Sequence, residues 1–397
     1  MMKRIALAML AFVLLFCSTG CWGKTELNEI GIVTVTGIDT EPDGTVRISV
    51  LSIQPEGTQN SPQMRSITWL GTATGTNLVD AAKNLRSTAF KTLTWIHNHV
   101  ILIGQEAAKD GMEEIIDFFS RNRELRFNSY MLVTEGRAYD MMQTPSKMQR
   151  DLFAEMQGLI RNVTDWSKCH VADAREFMIS YSEHCGDLIT GRIGYSEEEV
   201  NPFSTAREDV EKMAQLGQKL PVAYLEGCGV FKNGKFVGWL NTEETRGYLW
   251  ITDKIKPGAV IAGGKSNSLA LENKFASTSV KMKKEGENWT AVIKLDVRGT
   301  LMEQTTNDDI RKREVLISTE DSIEEVIKSE MDKAVKKIQK EYNVDVFRFG
   351  SNIQKHQPGE WKKIKKDWES TLFHNVKVEY DIEVTIERTG MLIKTLS

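Results

Sequence analysis

The chain has few cysteines, and an odd number of them: five among 397 residues, at positions 17, 21, 169, 185 and 228. An odd set does not make a framework of paired disulfides. Basic charge is not in excess either. The formal net charge is −4, and a nucleic-acid-binding domain would show a basic face. Past the first residues no run of eighteen apolar positions occurs, so nothing later in the chain has the length to cross a bilayer as a helix. There is no G-x-S-x-G nucleophile elbow, no H-E-x-x-H zinc motif, no internal repeat and no low-complexity tract. Those absences remove particular enzyme classes. They do not remove glycosidase-type chemistry, whose carboxylates are paired in space and leave no mark along a chain. What remains is ordinary globular composition, 41% hydrophobic and 27% charged, in a length that suits two or three domains at ~100–200 residues each.

The amino terminus carries the clearest signal. Lys3 and Arg4 precede twelve uncharged, mostly apolar residues, Ile5 to Phe16, and Ser18-Thr19-Gly20-Cys21 follows. A short basic flank, an apolar run too short to span and small residues before a cut define a secretory signal. With cysteine at the cut, residues 1–20 are expected to be a lipoprotein signal. Cys21 is then the first mature residue, with a diacylglyceryl group on its thiolate and a new amino terminus open to N-acylation (palmitate). Two acyl chains give stable anchoring, at about 0.8 kcal/mol per buried CH₂. Ser18 departs from the usual pattern, in which leucine stands three before the cysteine. Cys17 fits worse, because bulky Phe16 precedes it. The plainer alternative is an ordinary secretory signal with a structural Cys21. Loss of Lys3 and Arg4 takes the net charge from −4 to −6.

Periodicity predicts strands at Ile30–Asp39, Thr45–Ile53 and Ile67–Thr74, the first two joined by turn chemistry at Pro42-Asp43-Gly44. Leu78, Ala82, Leu85 and Ala89 form a helical stripe within Asn77–Lys91. A buried strand at His99–Gly104, a helix through Met112, Ile115, Ile116 and Phe119, a strand at Phe127–Thr134 and a helix at Gly136–Met142 then alternate, which indicates a mixed α/β layer. Two helical stripes follow, one from Met148 to Ile160 and one from Val171 to Tyr181. The polar stretch Tyr195–Leu220 reads as a linker. Val222–Leu240 reads as a hairpin turning at Asn233-Gly234. Strands at Ser277–Lys283 and Trp289–Arg298 open the last domain. A capping box at Ser322 and Glu325 is expected to start a long helix, Pro358 a second one, and Val376–Ile386 alternates strictly as a strand. The fold class is therefore α+β and multi-domain, with mixed and antiparallel sheets each packed with helices. The expected division is 1–20 signal, 21–195 N-terminal α+β domain, 196–221 linker, 222–272 small β-rich middle domain and 273–397 C-terminal α+β domain.

Few residues offer chemistry. Ala259–Ser266 fits only the loosest phosphate-loop pattern, and with Pro257-Gly258 before it reads better as a surface loop. Cys169-His170 and His184-Cys185 are metal-capable, but adjacent ligands diverge, whereas zinc pairs are spaced two to four apart. A Cys169–Cys185 disulfide needs a geometry that sequence does not supply. His97 and His99 share a face if their segment is a strand, without a third ligand. Arg121, Arg123 and Arg126 beside Glu124 read as a solvated helix end, and Lys355, Lys362, Lys363, Lys365 and Lys366 as the wet face of a helix whose Trp361 and Trp368 are core. No catalytic residue, metal ligand or cofactor is assigned.

Cys21-Trp22, the charged segment after it and "IVTVTGID" closely resemble the start of the GerAC-type spore germination lipoproteins. Three further stretches carry the same resemblance: 97–142 ("HNHVILIGQEAAKDGMEEIIDFF…"), 227–251 ("GCGVFKNGKFVGWLNTEETRGYLWI") and 339–368 ("QKEYNVDVFRFGSNIQKHQPGEW…"). Together they touch every expected domain, and their specificity lies in order and spacing; 143–220 match less clearly. The resemblance implies a non-enzymatic, three-domain α+β lipoprotein on the outer face of the spore inner membrane. It implies the C subunit of a nutrient germinant receptor, partnered by a membrane-embedded A subunit and a polytopic B subunit, held to the lipid bilayer through Cys21 and needed for the response to small germinants. Two other readings stand beside it: a transporter's substrate-binding lipoprotein, which would show two similar lobes around a hinged cleft, and an exported cell-wall hydrolase.

Overall fold

The computed structural model describes residues 4–5, 29–55, 66–122, 124–144, 152–184, 187–199, 219–264, 267–305 and 308–388. Cys17, Cys21, Arg123, Met148, Cys185, Lys265 and Ser266, singled out above, lie outside the described residues.

The apolar runs become strands, and the strands gather into two sheets. The first is built from β1 (Ile30–Thr40), β2 (Val46–Pro55), β3 (Ser66–Gly75), β4 (Thr92–Thr94), β5 (Val100–Gly104), β6 (Tyr130–Thr134), β7 (Ala172–Asp173), β8 (Leu188–Glu199), β9 (Lys219–Lys232) and β10 (Lys235–Leu240). Its order is β10-β9-β8-β6-β5-β1-β2-β3, with β4 beside β1 and β7 beside β6. The middle, β8-β6-β5-β1, is parallel, and antiparallel strands flank it on both sides. Parallel strands need covering on both faces. β5 shows this directly: Val100 and Leu102 enter one core, Ile101 and Ile103 the other.

The covering helices are α1 (Leu78–Thr88), α2 (Gln105–Asp110), α3 (Glu113–Arg121), α4 (Ala138–Met142), α5 (Leu152–Trp166), α6 (Ala174–His184) and α7 (Thr242–Ile251). α1, α2, α3 and α6 pack on the face of Ile101 and Ile103; α4, α5 and α7 share the core of Val100 and Leu102. Asn77 starts α1 by accepting the Asp80 amide at 2.9 Å.

The second sheet runs β11 (Gly258–Ala262), β12 (Leu269–Glu285), β13 (Asn288–Gln304) and β14 (Lys377–Arg388). It is antiparallel up to β13, and β14 then pairs parallel to β13. The chain reaches β14 through α8 (Arg313–Val335), a π-helical continuation to Tyr342, α9 (Phe349–His356), α10 (Pro358–Ile364), a second π-helical turn at Trp368–Leu372 and α11 (Phe373–Asn375). Ile323, Ile327, Met331 and Ala334 of α8 share one core with Ala291, Ile293, Leu295 and Val297 of β13. That core is continuous with one face of the first sheet.

α7 joins the two parts. Asn241 and Glu244 close its first turn as a reciprocal capping box. Every residue from Thr245 to Ile251 is buried, as expected of a helix packed on all sides. Its backbone can approach α8 only because Gly247 lacks a side chain: a Cβ there would lie 2.0 Å from the Glu330 carbonyl oxygen.

Several expectations change. α8 begins at Arg313, and Ser322 lies inside it, donating to the Ser318 carbonyl at 2.8 Å; its S-x-x-E spacing also suits the wet face of a continuing helix. The expected surface loop at 259–266 begins as strand β11, with Val260 and Ala262 buried and Ile261 exposed. The ends of the expected linker 196–221 are strand, because β8 runs on to Glu199 and β9 starts at Lys219, paired residue for residue. The segment 222–272 is divided: β9 and β10 extend the first sheet, and β11 and the start of β12 belong to the second. The Asn233-Gly234 turn forms as expected, with φ of 50° and 72°. A turn signal fixes a hairpin, however, and does not say which sheet the hairpin joins.

Candidate functional site

At the junction of the two parts lies a cavity of about 450 Å³. α6 contributes Glu176 and Ile179, the start of β8 Leu188 and Ile189, and the end of α7 Tyr248 and Ile251; Thr278 and Val280 come from β12, and Val346, Phe347 and Arg348 from the approach to α9. Pockets at domain junctions, mostly apolar with a few converging charges, are the usual form of small-ligand sites.

Local chain chemistry places each charged group. α7 ends with Asp253 in the left-handed region at φ 58°, which turns the Lys254 amide back to the Leu249 carbonyl at 3.0 Å. Asp253 Oδ1 accepts the Thr278 amide at 2.7 Å, and Thr278 Oγ1 donates to the Trp250 carbonyl at 2.6 Å, tying α7 to β12. Lys254 Nζ then lies 3.2 Å from both Glu176 Oε2 and His170 Nε2, and the ring nitrogen is 3.2 Å from the same carboxylate oxygen. Burial, aided by the Lys254 charge, holds the His170 imidazole below its ordinary value against the pull of Glu176. Burial also pushes Glu176 up, but its hydrogen bonds and the neighbouring positive charge outweigh this and hold it at about 2. Both His170 and Lys254 thus stabilise the Glu176 carboxylate.

Across the cavity, Asp345 accepts the Phe349 amide at 3.0 Å, the Gly350 amide at 2.7 Å and Trp368 Nε1 at 2.9 Å. Burial nevertheless raises its carboxyl to about 6. This cap starts α9, and Arg348, just before it, takes φ 64° and donates from Nη2 to the Asp187 carbonyl at 2.9 Å. Asp187 accepts the Asn233 amide at 2.8 Å, and burial raises its carboxyl to about 7.

The residues noted in the sequence are dispersed. Cys169 faces Cys228 rather than a residue near it in the chain. Both thiols are buried and free, and Cys228 Sγ accepts the His170 amide at 3.2 Å. Gly191 makes room for Cys169 Sγ, which would be 2.8 Å from a Cβ there. Cys169 is 2% and Cys228 0% exposed, so native protein should leave both unlabelled by a maleimide that labels both after denaturation. Labelling of either in the native state would contradict this packing. His97 and His99 do not stand in a strand, so the condition for their sharing a face is not met. They lie before β5, His97 exposed and His99 stacked on Phe153 with centroids 5.6 Å apart. Arg121 pairs with Asp117 at 2.8 Å along its own helix, and Glu124 accepts the Trp95 amide at 3.2 Å. Trp368 is buried and meets Trp361 edge-on at 5.8 Å. Among the described residues no three His, Cys, Asp or Glu side chains converge as a metal site, and no helix is long and apolar enough to cross a membrane. Glu176, Asp187, Lys254 and Arg348 escaped the sequence reading because their partners lie far off in the chain.

The comparisons with known proteins agree with this architecture. Residues 23–195 match the family described as spore germination protein N-terminal domain, and residues 226–390 match spore germination B3/GerAC like, C-terminal. The two matched segments cover most of the chain, which belongs to the GerAC-like spore germination family. Relatives in Bacillus subtilis (strain 168) include the putative spore germination protein YfkR, 23% identical with 100% of each chain covered. Another is spore germination protein KC, 23% identical over 98% of this chain and 97% of that one. The crystal structure of the GerBC protein shares the fold with a TM-score of 0.56 at 19% identity, over 89% of this chain and 96% of that one.

Proposed function

We propose that the protein is the lipid-anchored C subunit of a spore nutrient germinant receptor. In this reading it is not an enzyme. Cys21 holds it on the outer face of the spore inner membrane, and its folded body works beside the membrane-embedded A and B subunits when small germinants start germination. The observation that carries this is the family match to both halves of the chain, in order. The transporter reading calls for two similar lobes, whereas the two parts here are a ten-stranded mixed sheet and a four-stranded one. The hydrolase reading gains no support from the cavity, whose Glu176 is engaged by Lys254 and His170.

The test is a tagged pull-down from detergent-solubilised spore membranes, read by mass spectrometry. Two multi-spanning proteins at similar yield are expected. Cys21→Ala should move the protein out of the membrane fraction and abolish that recovery. Recovery of a permease with an ATPase, or of no partner, would overturn the receptor reading. A Cys21→Ala protein that stays with the membrane would overturn the anchor.

A further inference from the structure

Among the described residues, two cations lining the junction cavity form no ion pair with a carboxylate. Lys254 is matched by Glu176. Arg348 gives Nη2 to a neutral acceptor, the Asp187 carbonyl, and among the described residues neither Arg348 nor Lys355 forms an ion pair. The acids near Arg348 are turned elsewhere. Asp345 is occupied by two backbone amides and the Trp368 indole, and Asp187 by the Asn233 amide. Ile251, Leu188, Val280 and Phe347 line the cavity with these cations, beside the polar Thr278, Ser351 and Asn352.

The backbone supplies a second observation. Asp253 and Arg348 both stand in the left-handed region, at φ 58° and 64°, and both line this cavity. Asp253 can offset the strain through local hydrogen bonds; arginine has no such local compensation. Strained non-glycine residues held by their surroundings gather where a side chain must be presented to a ligand.

We propose that the junction cavity binds a small organic carboxylate with an apolar body. The planar guanidinium of Arg348 takes the carboxylate in a two-point grip, Lys355 adds charge at the rim, and the apolar tail lies against Ile251, Leu188 and Phe347. The volume, about 450 Å³, falls within the ~300–1,000 Å³ of small-ligand sites. This goes beyond the receptor reading and does not depend on it, since it concerns the isolated chain.

The experiment is calorimetric titration of the full-length protein in detergent with 4-methylpentanoate, phenylacetate and octanoate, beside the neutral 4-methylpentanamide and inorganic phosphate. At least one carboxylate should bind saturably below ~10 mM, with the amide and phosphate about tenfold weaker or worse. Arg348→Gln should weaken carboxylate binding by about tenfold, and Arg348→Lys should restore it only in part. Lys355→Gln, at an exposed position that leaves the fold intact, should weaken it severalfold and flatten its salt dependence. It keeps the test decisive if Arg348 variants do not fold. The proposal is overturned if none of the three carboxylates saturates, if amide or phosphate binds as well as carboxylate, or if Lys355→Gln and any folded Arg348 variant bind like the native protein.

Discussion

Replacing Glu330 with alanine should destabilise the protein by about 3–5 kcal/mol, the cost of stranding a buried charge. Glu330 stands on α8 with its side chain 10% exposed, and Arg246 on α7 is 8% exposed. Its two carboxylate oxygens accept Arg246 Nε and Trp250 Nε1, each at 2.8 Å. Burial raises the Glu330 pKa, while the Arg246 charge and the hydrogen bonds from Trp250 and Arg246 pull it back. Alanine leaves the guanidinium and the indole N–H buried with nothing to receive them, on the one helix that is packed from every side. Glu330→Gln keeps an acceptor and should cost less, about 1–3 kcal/mol. Arg246→Met together with Glu330→Leu should be milder than Glu330→Ala alone, because the stranded charge is then absent. Urea unfolding followed by tryptophan fluorescence measures all three. A Glu330→Ala midpoint matching the native one would show that this pair does not hold α7 to α8.

What the sequence revealed was local. Strict alternation gave the strand that became β14, helical stripes gave α1 and α3, and Asn233-Gly234 gave the β9–β10 turn; each depends on residues within a few positions of one another. The partition into sheets was not legible. β14 pairs parallel with β13 across the whole of α8 to α11, and its own residues read the same for either direction. β9 shows Val222 to Phe231 as an apolar run whether it edges a small sheet or extends a large one. α7 was missed because a helix buried on all sides has no polar face and hence no amphipathic period. The site suffered most: Glu176, Lys254 and Arg348 are unremarkable where they stand in the chain, and folding alone brings them to one cavity. The resemblance drawn from order and spacing identified the family, because a pattern spread along the chain survives where single motifs do not.

Asp187→Asn should stabilise the protein in alkaline buffer and change little in acid. Asp187 is 2% exposed, in the short connection between α6 and β8, and burial raises its carboxyl to about 7. The negative charges of Glu369 and Asp345 push in the same direction, while the Asn233 amide and Arg348 oppose them. In the unfolded chain this acid titrates near the ordinary value of ~3.9. A folded pKa above the unfolded one means that the native state holds the proton more tightly. The resulting stability is complete below pH ~4 and is lost as pH rises through about 7. Above that, folding must bury a charge, at a cost on the order of 2–4 kcal/mol. Asparagine keeps the shape and the acceptor for the Asn233 amide without acquiring the charge. The difference between variant and native protein should therefore be near zero at pH 4, grow through pH 5 to 7 and level off near pH 8. A constant difference across that range would show that the Asp187 carboxyl titrates in the fold as it does in the unfolded chain.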